Sequence, residues 1–174
     1  MDTINFTPFP TLTTERLILR QLKIEDQNEI FALRSDKRVN EFLDRTKADS
    51  VEDAINFIYK INTSIRDNEV LYWAITFKEN IHLTGTICLW NISKENLTAD
   101  IGYELLPDHQ GKGIMQEAIA KVIDYGFEII KLKAIDAEFA PGNTKSIKLL
   151  EKNGFLYSRK TENTIIFSLI NQRL

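Results

Sequence analysis

The sequence predicts a mixed α+β domain in which helices pack on a largely antiparallel sheet. Three observations lead to this reading. Residues 70–106 read as three successive strands separated by short turns. Two stretches, 51–65 and 114–126, carry apolar residues at helical spacing. The whole order of elements is β, α, α, β, β, β, α, β, α, β, β on one chain of 174 residues, a length that suits a single domain spanning 1–174.

In chain order, residues 1–10, with Pro8 and Pro10, read as a loosely ordered arm. Arg16 to Leu22 alternates, with Leu17 and Leu19 on one side and Arg16, Ile18 and Arg20 on the other, as a strand requires. Asp26 followed by Glu29 resembles a capping box ahead of a short helix through Ile30 and Leu33. Ser50 and Asp53 repeat that signature. Behind them Val51, Ala54, Ile55, Ile58, Ile61 and Ile65 share one face of a helix of about four turns. Val70–Phe77, Thr84–Trp90 and Leu97–Leu106 form an expected meander, with Trp73, Trp90, Tyr72 and Phe77 as packing residues of the sheet or walls of a pocket. Pro107 ends the last strand. A helix follows with Met115, Ala118, Ile119, Val122 and Gly126 as its buried stripe. Lys133–Phe139 is a strand. Asn143 caps a short helix that stops at Gly154, and Phe155–Lys160 with Thr164–Ile170 close as a hairpin in which Tyr157 is a packed aromatic.

Composition narrows the function classes. The chain is 43% hydrophobic and 27% charged, which excludes a disordered polymer. The 22 Lys and Arg residues against 25 Asp and Glu give a net charge of −3 with no basic stripe, so nucleic acid is not an expected partner. No apolar run approaches the roughly 20 residues of a membrane span. The opening Met1-Asp2-Thr3-Ile4 lacks the basic and apolar regions of a signal peptide, so a cytoplasmic location is expected. Cys88 is the single cysteine and reads as a small core residue. His82 and His109 stand too far apart to argue for a metal, and none is expected.

The segment Pro107-Asp-His-Gln110-Gly111-Lys112-Gly113-Ile114-Met115 carries the chemistry. Two glycines beside a helix start let backbone approach a ligand closely. The free amides of the first turn favour an anion, most naturally a phosphate, and Lys112 adds a mobile charge. A P-loop would need Ser or Thr where Gly113 stands. A dinucleotide fingerprint would need glycine at Gln116 and a loop leaving its strand directly, although Asp136 lies at a suitable distance downstream. A glycine-rich turn without ligand is the remaining alternative.

The segment resembles the pyrophosphate loop of the GNAT acetyltransferases: Gln or Arg, two residues, Gly, one residue, Gly or Ala. Gln110 and Gly113 match and Met115 departs. Ile101-Gly-Tyr-Glu-Leu-Leu-Pro before the loop and Gln116-Glu117-Ala118 after it resemble the RimJ/RimL-type branch. So do Thr14-Glu15-Arg16-Leu17-Ile18-Leu19-Arg20, and Asn143-Thr-Lys-Ser146 followed by Leu149 through Phe155. The resemblance spans residue 11 to the C-terminus. It implies the GNAT fold, with two splayed strands, through Ile101–Leu106 and Lys133–Phe139, holding acetyl-coenzyme A between them. The pantetheine arm would pair with backbone at Glu104, Leu105 and Leu106. The pyrophosphate would sit on Gln110, Gly111, Lys112, Gly113, Ile114 and Met115. An amide near Leu105 would face the thioester oxygen, an oxyanion-stabilising role.

In the same branch the residue matching Asn143 contacts pantetheine and the residue matching Ser146 lies near the sulfur, which makes Ser146 the expected acid for the leaving thiolate. Asn143 as a plain helix cap, with Ser146 bonded to its backbone, is the competing reading. The tyrosine that many relatives use as acid is Leu150 here. Tyr157-Ser158 stand where relatives carry a carboxylate base, which leaves Glu104 as the candidate base. Asp100, Glu41 and His109 are more distant ones.

The resemblance implies acetyl transfer to a primary amine. A lysine amine costs roughly 4.6 kcal/mol to deprotonate at pH 7 and an α-amine roughly 1.1. A weak base therefore favours a protein N-terminal α-amine, the acceptor type of the ribosomal-protein members. A small-molecule amine such as a polyamine or antibiotic, or a coenzyme A-binding regulatory module without turnover, are the alternatives. A monomer or a homodimer is expected.

Overall fold

The structure, a computed structural model, describes residues 5–173. It contains β1 (Leu12–Thr13), β2 (Leu17–Gln21), α1 (Gln27–Ser35), α2 (Val51–Arg66), β3 (Leu71–Phe77), β4 (Asn80–Ser93), β5 (Thr98–Leu105), α3 (Ile114–Glu128), β6 (Ala134–Phe139), α4 (Thr144–Lys152), β7 (Leu156–Lys160) and β8 (Ile165–Ile170). Short 3-10 turns, Ile24–Asp26 and Pro107–His109, precede α1 and follow β5. The eight strands form one sheet in the order β1-β2-β3-β4-β5-β6-β8-β7. Every neighbouring pair is antiparallel except β5 with β6.

Alternation along the strands assigns the two faces. Trp73, Ile87, Leu89, Ile101, Tyr103, Leu105 and Ile135 point to the side covered by α3 and α4. Trp73 meets Tyr125 of α3 edge to face, and a Cβ at Gly126 would sit 3.2 Å from Ile135. The opposite face carries Tyr72, Thr86, Cys88, Gly102 and Glu104. It is covered by α1 and α2, with Phe57 of α2 edge-on to Tyr72. The apolar stripe of α2 buries Ala54, Ile58 and Ile65 fully, and the Ser50/Asp53 capping box forms at its start. The stripe of α3 from Met115 to Gly126 is buried as its spacing predicts.

Some expectations need correction. Asp26 does not cap α1. Its carboxylate accepts from both Nη atoms of Arg20 and from the Lys23 amide, and this charged fork displaces the cap. The expected strand Thr84–Trp90 is the middle of a longer β4. Trp90 and Tyr157 are largely exposed rather than packed, at 45% and 62%. Residues 1–4 of the expected arm lie outside the described residues. From Asn5 onward the chain lies against the body: Phe6 is buried, and Trp73 donates its indole N–H to Pro10 O. Among the described residues no helix is long and apolar enough to cross a membrane.

Gly85 sits opposite Leu105 in the β4–β5 ladder. A Cβ there would lie 2.5 Å from the Glu104 carbonyl oxygen and 2.7 Å from Leu105 Cδ1. Gly85→Ala is expected to cost about 1–3 kcal/mol. Scanning calorimetry should show Tm falling by roughly 2–4 °C for each kcal/mol.

Candidate active site

The glycine loop sits where β5 hands the chain to α3. Gly111 and Gly113 take left-handed φ values of 75° and 73°, which a side chain would strain. Open space lies in front of Gly111. Gly113 is the N-cap residue of α3, and its carbonyl accepts the first helical bond, from Glu117 N. The amides from Gly111 to Gln116 donate to no acceptor among the described residues, so a row of N–H groups faces outward at the positive end of a 15-residue helix. Lys112 folds back, its Nζ 2.8 Å from Asp108 O. Gln110 anchors the loop to β5 by donating to Leu105 O at 3.1 Å. Ile114 and Met115 are buried beneath the loop.

A clamp from the opposite end of the chain holds this loop. Thr14 Oγ1 and Arg16 N both donate to Glu117 Oε1, at 2.5 and 2.9 Å, and Arg16 Nε donates to Oε2 at 2.7 Å. Arg16 Nη1 also donates to Lys112 O. Burial pushes the Glu117 carboxyl up, but these hydrogen bonds outweigh it and hold the group below the ordinary range.

Beside the loop the sheet opens. Strands β5 and β6 pair only from Thr98 to Asp100 against Ala134 to Asp136. Beyond that point β6 turns to β8 and β5 keeps β4 alone. The Leu106 amide donates to Thr84 O at 2.9 Å. By antiparallel alternation the peptide groups of Ile101, Tyr103 and Leu105 therefore point away from β4, into the gap. The edge expected at Glu104 to Leu106 is thus open at the Leu105 amide, while the Leu105 carbonyl accepts from Gln110 and Leu106 is committed to β4.

Two polar side-chain groups flank the gap, one on each face. On the α4 side Ser146 is 9% exposed, and its Oγ lies 2.6 Å from the Tyr103 hydroxyl. Burial pushes the Tyr103 phenol up to about 12. Asn143 caps α4 by accepting from Ser146 N at 3.2 Å, so that part of the plain-cap reading is present, but Ser146 turns its hydroxyl to Tyr103 rather than to the Asn143 backbone. Tyr103 was not singled out in the sequence. The strand alternation that puts it beside Ile101 and Leu105 was the available signal.

On the other face the Glu104 side chain is 8% exposed, and its Oε2 accepts from Arg45 Nη2 at 2.6 Å. Oε1 is buried and accepts no hydrogen bond among the described residues. Arg45 is held in turn by Asn40 Oδ1, and Asn40 donates to Leu33 O and Asp36 O at the end of α1. Burial first, and the neighbouring Glu104 carboxylate second, raise the Tyr72 phenol beyond the ordinary tyrosine range and push the Cys88 thiol up to about 12. Cys88 is therefore a neutral, partly buried thiol. Asp100 lies in a separate cleft of about 280 Å³ with Asn91, Asp136, Glu138 and Arg159. Burial raises its carboxyl and the charges of Asp136 and Glu138 add to this, while Asn91 opposes. Glu41 is exposed in the loop between α1 and α2, and His109 lies beside Phe77, so neither joins the gap. Among the described residues no group of His, Cys, Asp and Glu could hold a metal ion.

The model of the acetyltransferase (GNAT) domain matches residues 16–156. The chain is 39% identical over 145 residues to an uncharacterized N-acetyltransferase, p20, of Bacillus licheniformis, covering 83% of this chain and 82% of the relative. Its fold matches the ribosomal-protein-S5-alanine acetyltransferase of Vibrio fischeri with a TM-score of 0.81 at 24% identity, covering 94% of this chain and 98% of that one. It also matches the spermidine N-acetyltransferase of Vibrio cholerae, solved with CoA and spermine, with a TM-score of 0.78 at 23% identity, covering 90% and 96%.

Proposed function

The chain belongs to the GNAT family of acetyl-CoA-dependent N-acetyltransferases, and within that chemistry we propose that it is a RimJ/RimL-like enzyme acetylating a protein N-terminal α-amine. The observation that carries the site is the parting of β5 and β6 after Asp100 and Asp136, in line with the outward row of amides at α3. These groups fit the carrier: the amides of Gly111 to Met115 would hold its pyrophosphate, and the open edge at Ile101 to Leu105 would hold its pantetheine arm.

Acetyl-CoA supplies a thioester whose C–S bond breaks as the new C–N bond forms. The chain's groups manage the charge. The Leu105 amide, aimed into the gap, faces the carbonyl oxygen as negative charge builds there, the kind of preorganised donor worth a few kcal/mol. The Ser146 hydroxyl gives its proton to the departing sulfur as it accepts one from Tyr103, whose phenol burial holds near 12 and so protonated at neutral pH at the start of each cycle; solvent returns the proton to the phenolate once the thiol has left. Glu104, reaching the amine from the other face, receives the proton the amine loses, directly or through a water. Its Arg45 partner occupies Oε2 and leaves Oε1 for this proton. The weakly basic α-amine suits such a base better than a lysine, which costs about 3.5 kcal/mol more to deprotonate at pH 7. Thiol release with peptides bearing a free N-terminus, and not with N-blocked lysine peptides, is the test of this acceptor. The reverse preference rejects it.

Gly113→Glu places a carboxylate in the path of the pyrophosphate. Calorimetry should show acetyl-CoA affinity falling more than about tenfold with an unchanged far-UV spectrum. Gly113→Ala, which carries the same backbone strain without the charge, should lose less; equal affinities for Gly113→Glu and wild type would remove the loop from the site.

Ser146→Ala should lower kcat by about a hundredfold with little change in acetyl-CoA affinity, and Tyr103→Phe by about tenfold. Adding Tyr103→Phe to Ser146→Ala should cost nothing further, because the phenol acts through the serine. A phenol held near 12 stays protonated well above pH 10. The kcat profile of the wild type should therefore show no loss assignable to this pair between about pH 8 and about pH 10.

A further inference from the structure

The face opposite α3 holds a guanidinium that the mechanism above does not use. Arg34, in the last turn of α1, stacks its Cζ 4.0 Å over the Phe57 ring. It makes no ion pair or hydrogen bond through its side chain among the described residues. Every other arginine buried to a similar degree on this face is spoken for: Arg20 by Asp26, Arg45 by Glu104 and Asn40. Burial, then the like charge of Arg45, pulls the Arg34 guanidinium down, while Glu104 acts the other way.

Contacts connect Arg34 to the reaction gap step by step. Phe57 meets Tyr72 edge-on, Tyr72 donates to Thr86 Oγ1 at 3.0 Å, and Thr86 stands directly opposite Glu104 in the β4–β5 ladder. Glu104 Oε1 is the one buried side-chain oxygen there without a donor. The same neighbourhood thus holds an oxygen lacking an N–H and a guanidinium lacking an anion. Four residues back along β5, roughly 13 Å away, the cleft of Asp100, Asp136 and Glu138 carries the opposite charge. Along β5 the closed end of the gap carries three carboxylates against Arg159, and the other end carries Arg34 and Arg45 against Glu104.

We infer that the acceptor is a primary amine that carries an anionic group a short chain away, its amine hydrogen-bonded to Glu104 Oε1 and its anion held by Arg34. This deepens the N-terminal reading and rests on it: the fitting acceptor is an α-amine followed closely by an acidic residue. An oligoamine would bring positive charge to Arg34 and Arg45 and is disfavoured. A guanidinium stacked on an aromatic ring keeps its N–H edges free for such an anion.

The test uses the full-length enzyme with saturating acetyl-CoA and five acceptors. They are the peptide amides Ser-Glu-Ala-Ala and Ser-Gln-Ala-Ala, which share amine and shape; β-alanine against β-alaninamide, for a small carboxylate-bearing amine; and spermidine, with affinity for acetyl-CoA checked by calorimetry. Wild type should prefer the Glu peptide in kcat/KM by about tenfold, the size of one charge-assisted hydrogen bond. Arg34→Met keeps the stem over Phe57 and should bring that ratio close to one; Arg34→Lys should restore part of it. A preference confined to the β-alanine pair assigns the anion to a small molecule and retains Arg34 as its holder. A Glu-to-Gln ratio near one in wild type with no preference for β-alanine, a ratio unchanged by Arg34→Met, or faster turnover of spermidine overturns the inference while leaving acetyl transfer in place. Failure of acetyl-CoA to bind at all overturns the underlying reading as well.

Discussion

The site depends on one failure of strand pairing. A parallel pair normally continues along its length, because an unpaired edge leaves amides and carbonyls without partners. Here β5 and β6 share three rungs and separate. The separation is held from both sides. β5 is bound to β4 from Gly85–Leu105 to Trp90–Asp100, and β6 is bound to β8 along its whole length. Neither strand can move toward the other without breaking a longer ladder. The gap is therefore a built cavity of the sheet, and its exposed peptide groups form a rigid, repeating row suited to a chain-like carrier.

Rigidity at the loop comes from the first strand region. A glycine pair at positive φ is entropically free in the unfolded chain and needs an external hold. Arg16 supplies it by touching Glu117 in the first turn of α3 and Lys112 in the loop at once. Thr14 closes the same carboxylate across 103 positions of sequence. An acidic residue in the first helical turn ordinarily competes with an anionic ligand for the dipole. Three hydrogen bonds, one of them from the Arg16 guanidinium, absorb its charge instead, leaving the outward amides of Gly111 to Gln116 for a ligand.

How much of this was legible followed from the range of the interaction. Period-two alternation in Leu17–Gln21, the run of aromatic and branched residues in Leu71–Phe77 and helical spacing in α2 and α3 are local, and the elements formed where the pattern put them. The loop was legible too, since two glycines and a Pro-ended strand are adjacent in sequence. What the sequence did not display were partnerships across long separations. Tyr103 meets Ser146 across 43 positions and Arg45 meets Glu104 across 59. Neither pair leaves a periodic trace. Asp26 misled for the same reason: six residues upstream, Arg20 offered a bidentate charged fork, stronger than a neutral cap, and won the carboxylate. Strands bury aromatics, which predicts packing for Trp90, yet it is the last β4 residue before the ladder with β5 is interrupted, between Trp90 and Ser93, and nearly half of it meets water.

The Glu104–Arg45 pair shows where stability and chemistry part. A buried ion pair is usually no more stabilising than apolar residues of equal volume, because desolvation offsets the attraction. Packing alone would therefore have been satisfied by a leucine on this face, as it is at Leu89 and Ile101 on the other. Arg45 is instead fixed by Asn40, which is itself fixed to the end of α1, so two side chains serve to hold one carboxylate in place. They satisfy one oxygen and leave the other bare, which costs about 1–3 kcal/mol for a buried acceptor. Tyr72 and Cys88 add no competing negative charge, since both are kept neutral by burial. An arrangement that orients a carboxylate so firmly, at a cost to stability, and beside the opening of the sheet fits the role proposed for it, a bare oxygen kept ready for the proton of an incoming amine.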